Sequence, residues 1–163
     1  MENLKNKNIA HNVNENLFEI ALYETQIPLN LGAIMRTAAC LDVLLHIIEP
    51  LGFVFVNKKS LGRAALDYEP NYKLHNSYED FLIKTAIQRK IIFTPHTNLS
   101  FYDFDFKKGD ILVFGREEDG MEPINMSKCD GLVSIPMSPR ARSFNLGSSV
   151  AIGSTYVYNY LKN

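Results

Sequence analysis

Residues 131–146 read GLVSIPMSPRARSFNL, an unusual passage between a predicted strand and a predicted helix. The first six residues are typical of a buried strand. Two prolines then stiffen the chain and remove backbone donors, and two arginines add positive charge. Asn145 is well placed to cap the helix predicted over 145–161. Free carbonyl groups and the N–H groups from Ser143 to Asn145 could bind a flat polar group or an anion; the alternative is a well-capped loop without a ligand.

The rest of the chain alternates short apolar runs with amphipathic stretches. Strands are predicted at 17–23, 44–48, 90–94, 110–115 and 131–136. Helices are predicted at 30–41 with Asn30 as cap, at 58–67, at 77–88 with Ser77 as cap, and at 145–161. This order predicts an α/β fold, a mostly parallel sheet with helices on both faces. Ligands of such folds bind beyond the carboxyl ends of the strands.

Length and composition narrow the class of protein. The 163 residues favour a single domain over 17–163, preceded by a polar tail over 1–16. Neither a membrane span nor a secretory signal is expected, so the predicted location is cytoplasmic. The two cysteines, Cys40 and Cys129, are far apart and predict neither a disulfide framework nor a metal site. The net charge of −1 argues against binding nucleic acid through bulk charge, although a local basic patch remains compatible.

Several common sequence motifs are absent. The chain has no G-x-G-x-x-G after a strand and no phosphate-binding G-x-x-x-x-G-K-[ST]. It also has no H-E-x-x-H and no G-x-S-x-G. These absences disfavour Rossmann dinucleotide enzymes, P-loop NTPases and the common hydrolases, and any cofactor must be held by other loops.

The loop after the fourth predicted strand, 115–120, reads GREEDG. Its two glycines permit positive φ and a close approach of a ligand to the backbone. Three consecutive acids are costly to cluster unless they are solvated or paired. An acidic surface turn is the alternative interpretation.

Cations and small residues suggest further candidate contacts. Arg36 has apolar neighbours on the first predicted helix, which favours a specific partner, although the side chain could instead reach solvent. The final predicted helix combines small residues with tyrosines, which suits either an interface or packing within one chain. Lys58, Lys59 and Arg63 form a basic cluster that could contact phosphates, or Arg63 could simply pair with Asp67.

Taken in order, these segments resemble the SPOUT class of RNA methyltransferases, and most closely its TrmL-type family. The resemblance covers about 18–159, nearly all of the chain outside the tail. The matching pieces are LYE at 22–24, IP at 27–28 with Asn30, Gly32, Ile34 and Arg36, LHIIEPLGF at 45–53, RA and LDY within 63–68, FG at 114–115 with Glu117 and Gly120, IPM at 135–137, and RS and NL within 142–146.

The resemblance implies a C-terminal deep trefoil knot and S-adenosylmethionine (SAM) as the methyl donor. It also implies transfer to the ribose 2′-hydroxyl of the tRNA wobble nucleotide, position 34, by a homodimer whose partner completes each site. The cofactor pocket would involve Phe93, Gly115, Ile135 and Ser143. A related enzyme acting on rRNA, or a non-catalytic RNA-binding dimer, is the alternative.

The remaining roles are also carried over from the family. Arg36 matches its candidate for assisting the reaction, either at the proton of the hydroxyl or by positioning a phosphate and stabilising developing charge. The substrate or pocket contacts would be Asn30, Glu117, Arg142 and Asn145, and the tRNA backbone contacts would be Lys58, Lys59 and Arg63.

Some positions depart from the family pattern. Gly147 follows Asn145-Leu146 where the family commonly has Ser, and Asp119 stands where the family often has Arg. Leu29 and Leu31 replace the usual Pro and Thr around Asn30. These departures leave the class intact.

Overall fold

A computed structural model describes residues 17–55 and 70–163 of the chain. The predicted tail over 1–16 and the predicted helix over 58–67 lie outside these residues. So do Lys58, Lys59 and Arg63, the proposed contacts to the tRNA backbone.

The described residues form one six-stranded sheet with helices packed against it. The sheet order is β3-β2-β1-β5-β4-β6, and every pair of neighbouring strands is parallel. The strands are β1 (Phe18–Tyr23), β2 (Leu45–Ile48), β3 (Tyr72–His75), β4 (Lys90–Phe93), β5 (Asp110–Phe114) and β6 (Gly131–Val133). The helices are α1 (Pro28–Leu41), α2 (Tyr78–Lys84), α3 (Pro123–Met126) and α4 (Leu146–Lys162), with a 3-10 turn at Phe101–Asp103.

The two faces of the sheet pack against different helices. Side chains alternate along β1, because successive residues of a strand point to opposite faces. Phe18, Ile20 and Leu22 belong to a core shared with α1 and α4. Ala21 and Tyr23 belong to a second core shared with α2. The predicted α/β fold with helices on both faces is therefore confirmed.

Within the described residues, the predicted elements agree with the structure apart from α3, which was not predicted, α2, which ends at Lys84 instead of at 88, and two further differences. All five predicted strands are present, and Ser77 and Asn145 cap α2 and α4 by accepting hydrogen bonds from Asp80 N and Ser148 N. β3 was not predicted from the sequence. The prediction that Asn30 caps α1 was wrong, because α1 begins at Pro28 with Ile27 as its N-cap.

Candidate functional site

A pocket lies at the carboxyl ends of β4 and β5, where ligands of parallel sheets usually bind. It has a volume of about 270 Å³ and adjoins a smaller pocket of about 50 Å³. Three connections build the walls, namely those that follow β4, β5 and β6. The larger pocket is lined by residues 92–96, 114–121, 142–144, Leu146 and Ser149, and the smaller one by 93–95, Ile135, Met137, 143–144 and Ser149.

The four residues predicted to hold the cofactor meet here. Phe93, Gly115 and Ser143 line the larger pocket. Ile135 lines the smaller one, which shares Phe93 and Ser143 with it. Phe93 is nearly buried at 8% exposure, and its ring stacks on that of Phe114 with centroids 4.8 Å apart. The pocket floor is therefore an aromatic stack that is fixed in the core.

The loop after β5 closes tightly on itself. Arg116 N donates to Gly120 O at 2.9 Å, and Gly120 N donates to Arg116 O at 3.2 Å. Gly120 has φ +73, which favours glycine. A Cβ on Gly115 would lie 2.6 Å from the carbonyl carbon of Gly120. Position 115 therefore requires glycine because the backbone of Gly120 approaches it closely.

Arg116 pairs with three carboxylates around this loop. Its guanidinium nitrogens lie 2.7 Å from Glu24, 2.7 Å from Asp119 and 2.6 Å from Glu122. The hydrogen bond that Arg116 donates to Asp119, followed by those to Glu122 and Glu24, raises the pKa of Arg116 despite its burial. A hydrogen bond from Tyr23 is the main cause that lowers the pKa of Glu122 to about 2. Part of the acidic cluster is therefore paired with Arg116.

Glu117 binds the start of α1. Its carboxylate accepts hydrogen bonds from Gln26 N at 2.8 Å, Ile27 N at 3.1 Å and Asn30 Nδ2 at 3.0 Å. These backbone donors precede the first turn of a helix, where a negative charge is favourable. Glu117 takes over the capping that Ile27, which makes no side-chain cap bond, cannot provide.

The same chain of hydrogen bonds continues to α4. Asn145 Nδ2 donates to Asn30 Oδ1 at 3.0 Å, and Asn145 Oδ1 accepts from Ser148 N at 3.3 Å. Three of the residues predicted to contact substrate or shape the pocket, Asn30, Glu117 and Asn145, are thus joined directly. Arg142, the fourth, is exposed and lines the larger pocket.

Arg36, like Asn30 and Asn145, is a predicted site residue that the pocket linings do not include. It is exposed on α1, between Met35 and Thr37, and it lines neither pocket. The neighbours Ile34 and Met35 are fully buried in the core. The apolar surroundings of Arg36 in the sequence therefore belong to the opposite face of the helix.

Sequence reasoning left several pocket-lining residues without a role. Thr94, Pro95 and His96 follow β4, and Phe144 and Ser149 flank the start of α4. Only their position in the sequence could have indicated a role in the pocket, since a residue that directly follows a parallel strand lies at the ligand-binding edge.

The described residues contain neither a membrane-spanning helix nor a metal-binding cluster of side chains. No helix within 17–55 or 70–163 is both long and apolar enough to cross a bilayer. Within the same ranges, no group of three or more His, Cys, Asp or Glu side chains is arranged to hold a metal ion.

The fold and the pocket define an α/β protein with a binding site at the carboxyl edge of a parallel sheet. Residues 17–155 match the SpoU rRNA Methylase family, and the chain belongs to that family.

Two named relatives and one solved structure are similar to most of this chain. A tRNA (cytidine(34)-2'-O)-methyltransferase of Methylovorus glucosotrophus is 35% identical over 140 residues, covering 83% of this chain and 90% of the relative. The protein of the same name from Escherichia coli (strain K12) is also 35% identical, with coverage of 83% and 88%. A solved structure described as "Structural insights into the 2-OH methylation of C/U34 on tRNA" is 35% identical with a TM-score of 0.82, covering 90% of this chain and 91% of that one.

A more distant structure shares the fold. The SpoU methyltransferase AviRb from Streptomyces viridochromogenes in complex with the cofactor AdoMet has a TM-score of 0.76 at 21% identity, covering 90% of this chain and 58% of that one. At this identity the likeness concerns the fold alone.

Proposed function

We propose that this chain transfers a methyl group from SAM to the ribose 2′-hydroxyl of the wobble nucleotide of tRNA, a cytidine or uridine at position 34. The relatives that carry this activity in their names match at 35% identity over most of both chains. The observation that carries the proposal is the meeting of Phe93, Gly115 and Ser143 in one pocket, with Ile135 in the adjoining one.

The residues of this pocket suit SAM. Phe93, Ile135 and Phe144 offer apolar and aromatic surface to an adenine ring. The loops after β5 and β6 add backbone N–H and C=O groups, which recognise polar edges without a particular side chain. When bound, SAM supplies an electrophilic methyl group, and the walls of the pocket orient it and exclude water.

Arg36 is proposed to act on the RNA. Arginine side chains stay protonated in proteins, so we assign Arg36 to hold the phosphate beside the reacting ribose and to stabilise charge that develops on the 2′-oxygen. Arg36 does not line the pocket of its own chain. A second copy would have to bring its Arg36 to this pocket, or the reverse.

A homodimer with shared sites is therefore part of the proposal. α1 and α4 pack on each other, and large apolar side chains near their amino ends and along α4 are exposed. These are Ile27 at 44%, Leu29 at 69%, Phe144 at 40% and Ile152 at 37%. Exposed apolar side chains grouped in this way mark interaction surfaces.

Five further parts complete the proposal; the domain bounds and the location rest on length and composition, and the others rest on the family resemblance. The segment from β6 to α4 forms the deep trefoil knot, and 17–163 is one domain behind the polar tail 1–16. Asn30, Glu117, Arg142 and Asn145 shape the pocket and contact the substrate. Lys58, Lys59 and Arg63 bind the tRNA backbone, and the protein works in the cytoplasm.

Methyl transfer from labelled SAM to purified tRNA and rRNA tests the activity. Label is expected in tRNA, with a 2′-O-methylated nucleoside at position 34 after mapping. Arg36→Ala is expected to abolish transfer, whereas Lys107→Ala, a change at an exposed lysine, is expected to have no effect. Label in rRNA alone would favour the rRNA alternative. No transfer to any RNA, with no heat of binding for S-adenosylhomocysteine, would favour the non-catalytic alternative.

A mixed dimer tests the shared site. Arg36→Ala and Ser143→Phe, which fills the pocket, would be co-expressed with different tags and purified as the mixed species. Each variant alone is expected to be inactive. The mixed dimer should have about half the wild-type activity, because one of its two sites is intact. An inactive mixed dimer, or a monomer in light scattering, would contradict the shared site.

A further inference from the structure

A second pocket lies on the α2 face of the sheet, among β1, β2 and β3. It has a volume of about 490 Å³. Its lining residues are Glu19, His46, Lys73, Leu74, His75, Lys84, Thr85 and Gln88. Glu19 is the second residue of β1, near its amino end, whereas the cofactor pocket lies beyond the carboxyl ends of β4 and β5. The two pockets share no lining residue, so this is a separate site.

Buried titratable side chains form one wall of this pocket. His46 Nε2 lies 2.6 Å from Glu19 Oε2, and His46 Nδ1 lies 2.8 Å from His75 Nε2. All three residues are at least nine-tenths buried. His75 Nδ1 is also buried and has no hydrogen-bond partner, although Asp80 Oδ2 is 3.6 Å away. A buried nitrogen without a partner is costly and indicates either strain or a function.

The directions of these hydrogen bonds explain the unpartnered nitrogen. Burial opposes ionisation of Glu19, but its hydrogen bond with His46 outweighs the burial and lowers the pKa of this carboxyl. With both imidazoles neutral, the Glu19 carboxylate accepts from His46 Nε2–H, and His46 Nδ1 accepts from His75 Nε2–H. This leaves His75 Nδ1 as a bare acceptor that faces the Asp80 carboxylate. One added proton would turn this nitrogen into a donor towards Asp80 and give the imidazole pair a positive charge.

Burial is the largest cause that lowers the pKa of His75 to about 4, followed by repulsion between protons on the two imidazoles. Lys84 and Lys73 add to this shift, and Asp80 opposes it. An anion bound in the pocket would act in the opposite direction, because a nearby negative charge favours the protonated imidazole.

The rim of the pocket supplies cations for such an anion. Lys73 on β3 and Lys84 on α2 both line it and are exposed. Lys84 Nζ bonds Asp80 at 2.7 Å. The charge of Lys73 acts on the Glu19 carboxylate and helps to lower its pKa, so Lys73 lies within electrostatic reach of this wall of the pocket. Gln88 and Leu74 add an amide and an apolar surface, and the volume is within the range of small-molecule sites, roughly 300 to 1,000 Å³.

We propose that this pocket binds the phosphate group of a nucleotide, either free or within an RNA chain, and takes up a proton on the His46–His75 pair when it does. The phosphate lies against Lys73 and the pair, and the nucleoside lies against Leu74 and Gln88. The site does not depend on the proposed methyl transfer.

Imidazole NMR on the full-length chain tests the site. The chain has four histidines, His11, His46, His75 and His96, and His96 lines the cofactor pocket. Cytidine 5′-monophosphate is expected to shift the resonances of His46 and His75 saturably. Lys73→Ala should raise the Kd at least tenfold, whereas Lys107→Ala should leave it unchanged. Shifts at His96 alone, or equal affinity in the two variants, would overturn the proposal.

Calorimetry and two further probes complete the test. Titration at pH 6.5 in two buffers of different ionisation enthalpy should report proton uptake; an absence of uptake would refute the protonation step. Inorganic phosphate should shift the same resonances with lower affinity, and equal affinity would refute a role for the nucleoside. A short RNA oligonucleotide that shifts His46 and His75 identifies RNA as the source of the phosphate, and a response to the mononucleotide alone identifies a free nucleotide.

Discussion

Glu117 is expected to stabilise the fold by capping α1 from a distant loop. Glu117→Ala removes the acceptor of three donors, Gln26 N, Ile27 N and Asn30 Nδ2. A hydrogen bond to a charged group contributes roughly 1.5 to 3 kcal/mol. Water can replace the carboxylate at Ile27, which is exposed, so Gln26 and Asn30 dominate the loss. After allowance for partial exposure, we expect the free energy of unfolding to fall by about 2 to 4 kcal/mol.

Urea and thermal unfolding measure this effect. At this chain length 1 kcal/mol corresponds to a shift of roughly 2 to 4 °C, so the melting temperature should fall by roughly 5 to 15 °C. Glu118→Ala is the matched control, because Glu118 is the exposed neighbour in the same loop. Glu117→Gln keeps one acceptor oxygen and should lie between the two. Equal stabilities of Glu117→Ala and Glu118→Ala would refute the capping role.

Three further predictions follow from local geometry and charge. Gly153→Ala places a Cβ 2.8 Å from the Phe93 ring and should cost about 1 to 3 kcal/mol in urea unfolding. Its control Gly147→Ala meets the Asn145 side-chain oxygen at 3.2 Å and Ala33 Cβ at 3.7 Å, and it should be neutral or stabilising by up to about 1 kcal/mol; equal losses would contradict the argument. Arg116→Met leaves Glu24, Asp119 and Glu122 without their cation and should destabilise by about 1 to 3 kcal/mol, less in high salt; salt-independent unfolding would count against a charge effect. Stability should fall with acid in two windows, measured by urea unfolding from pH 7 to pH 2. The unfolded chain protonates His75 below about 6.5 while the folded chain resists to about 4, and Glu122 contributes between about 4.5 and 2. His75→Gln should flatten the first window and Glu122→Gln the second, and unchanged profiles would contradict these assignments.

The four central strands and the edge strand β6 could be predicted from the sequence, whereas the other edge strand, β3, could not. β1, β2, β4 and β5 are buried on both faces, so each appears in the sequence as a continuous apolar run. β3 pairs with β2 alone and has only one buried residue, His75. Its sequence, YKLH, therefore lacks both an apolar run and a regular alternation.

Two aspects of the candidate site could be predicted: its position at the ends of the strands, and the residues that match the family. The position of the pocket follows from parallel topology, because every loop after a strand reaches the same edge. Contacts between distant residues have no local signal. Asn30 meets Glu117 across 87 positions and Asn145 across 115, and only the resemblance grouped them. Local patterning also misled at Asn30, since a polar residue before an apolar stretch is typical of a cap.

The hydrogen bonds of Asn30 indicate why these three positions belong together. Glu117 lies in the loop after β5, and Asn145 is the N-cap of α4. Both side chains form hydrogen bonds with Asn30 in the first turn of α1. The two loops carry walls of the cofactor pocket, and α1 carries Arg36 about one and a half turns further on. The network therefore joins the helix that would present Arg36 to the second copy's pocket with the loops that would hold the methyl donor in its own chain. Group transfer is sensitive to misplacement of about 1 Å, so the uncharged, buried Asn30 can matter to the reaction without touching a reacting atom.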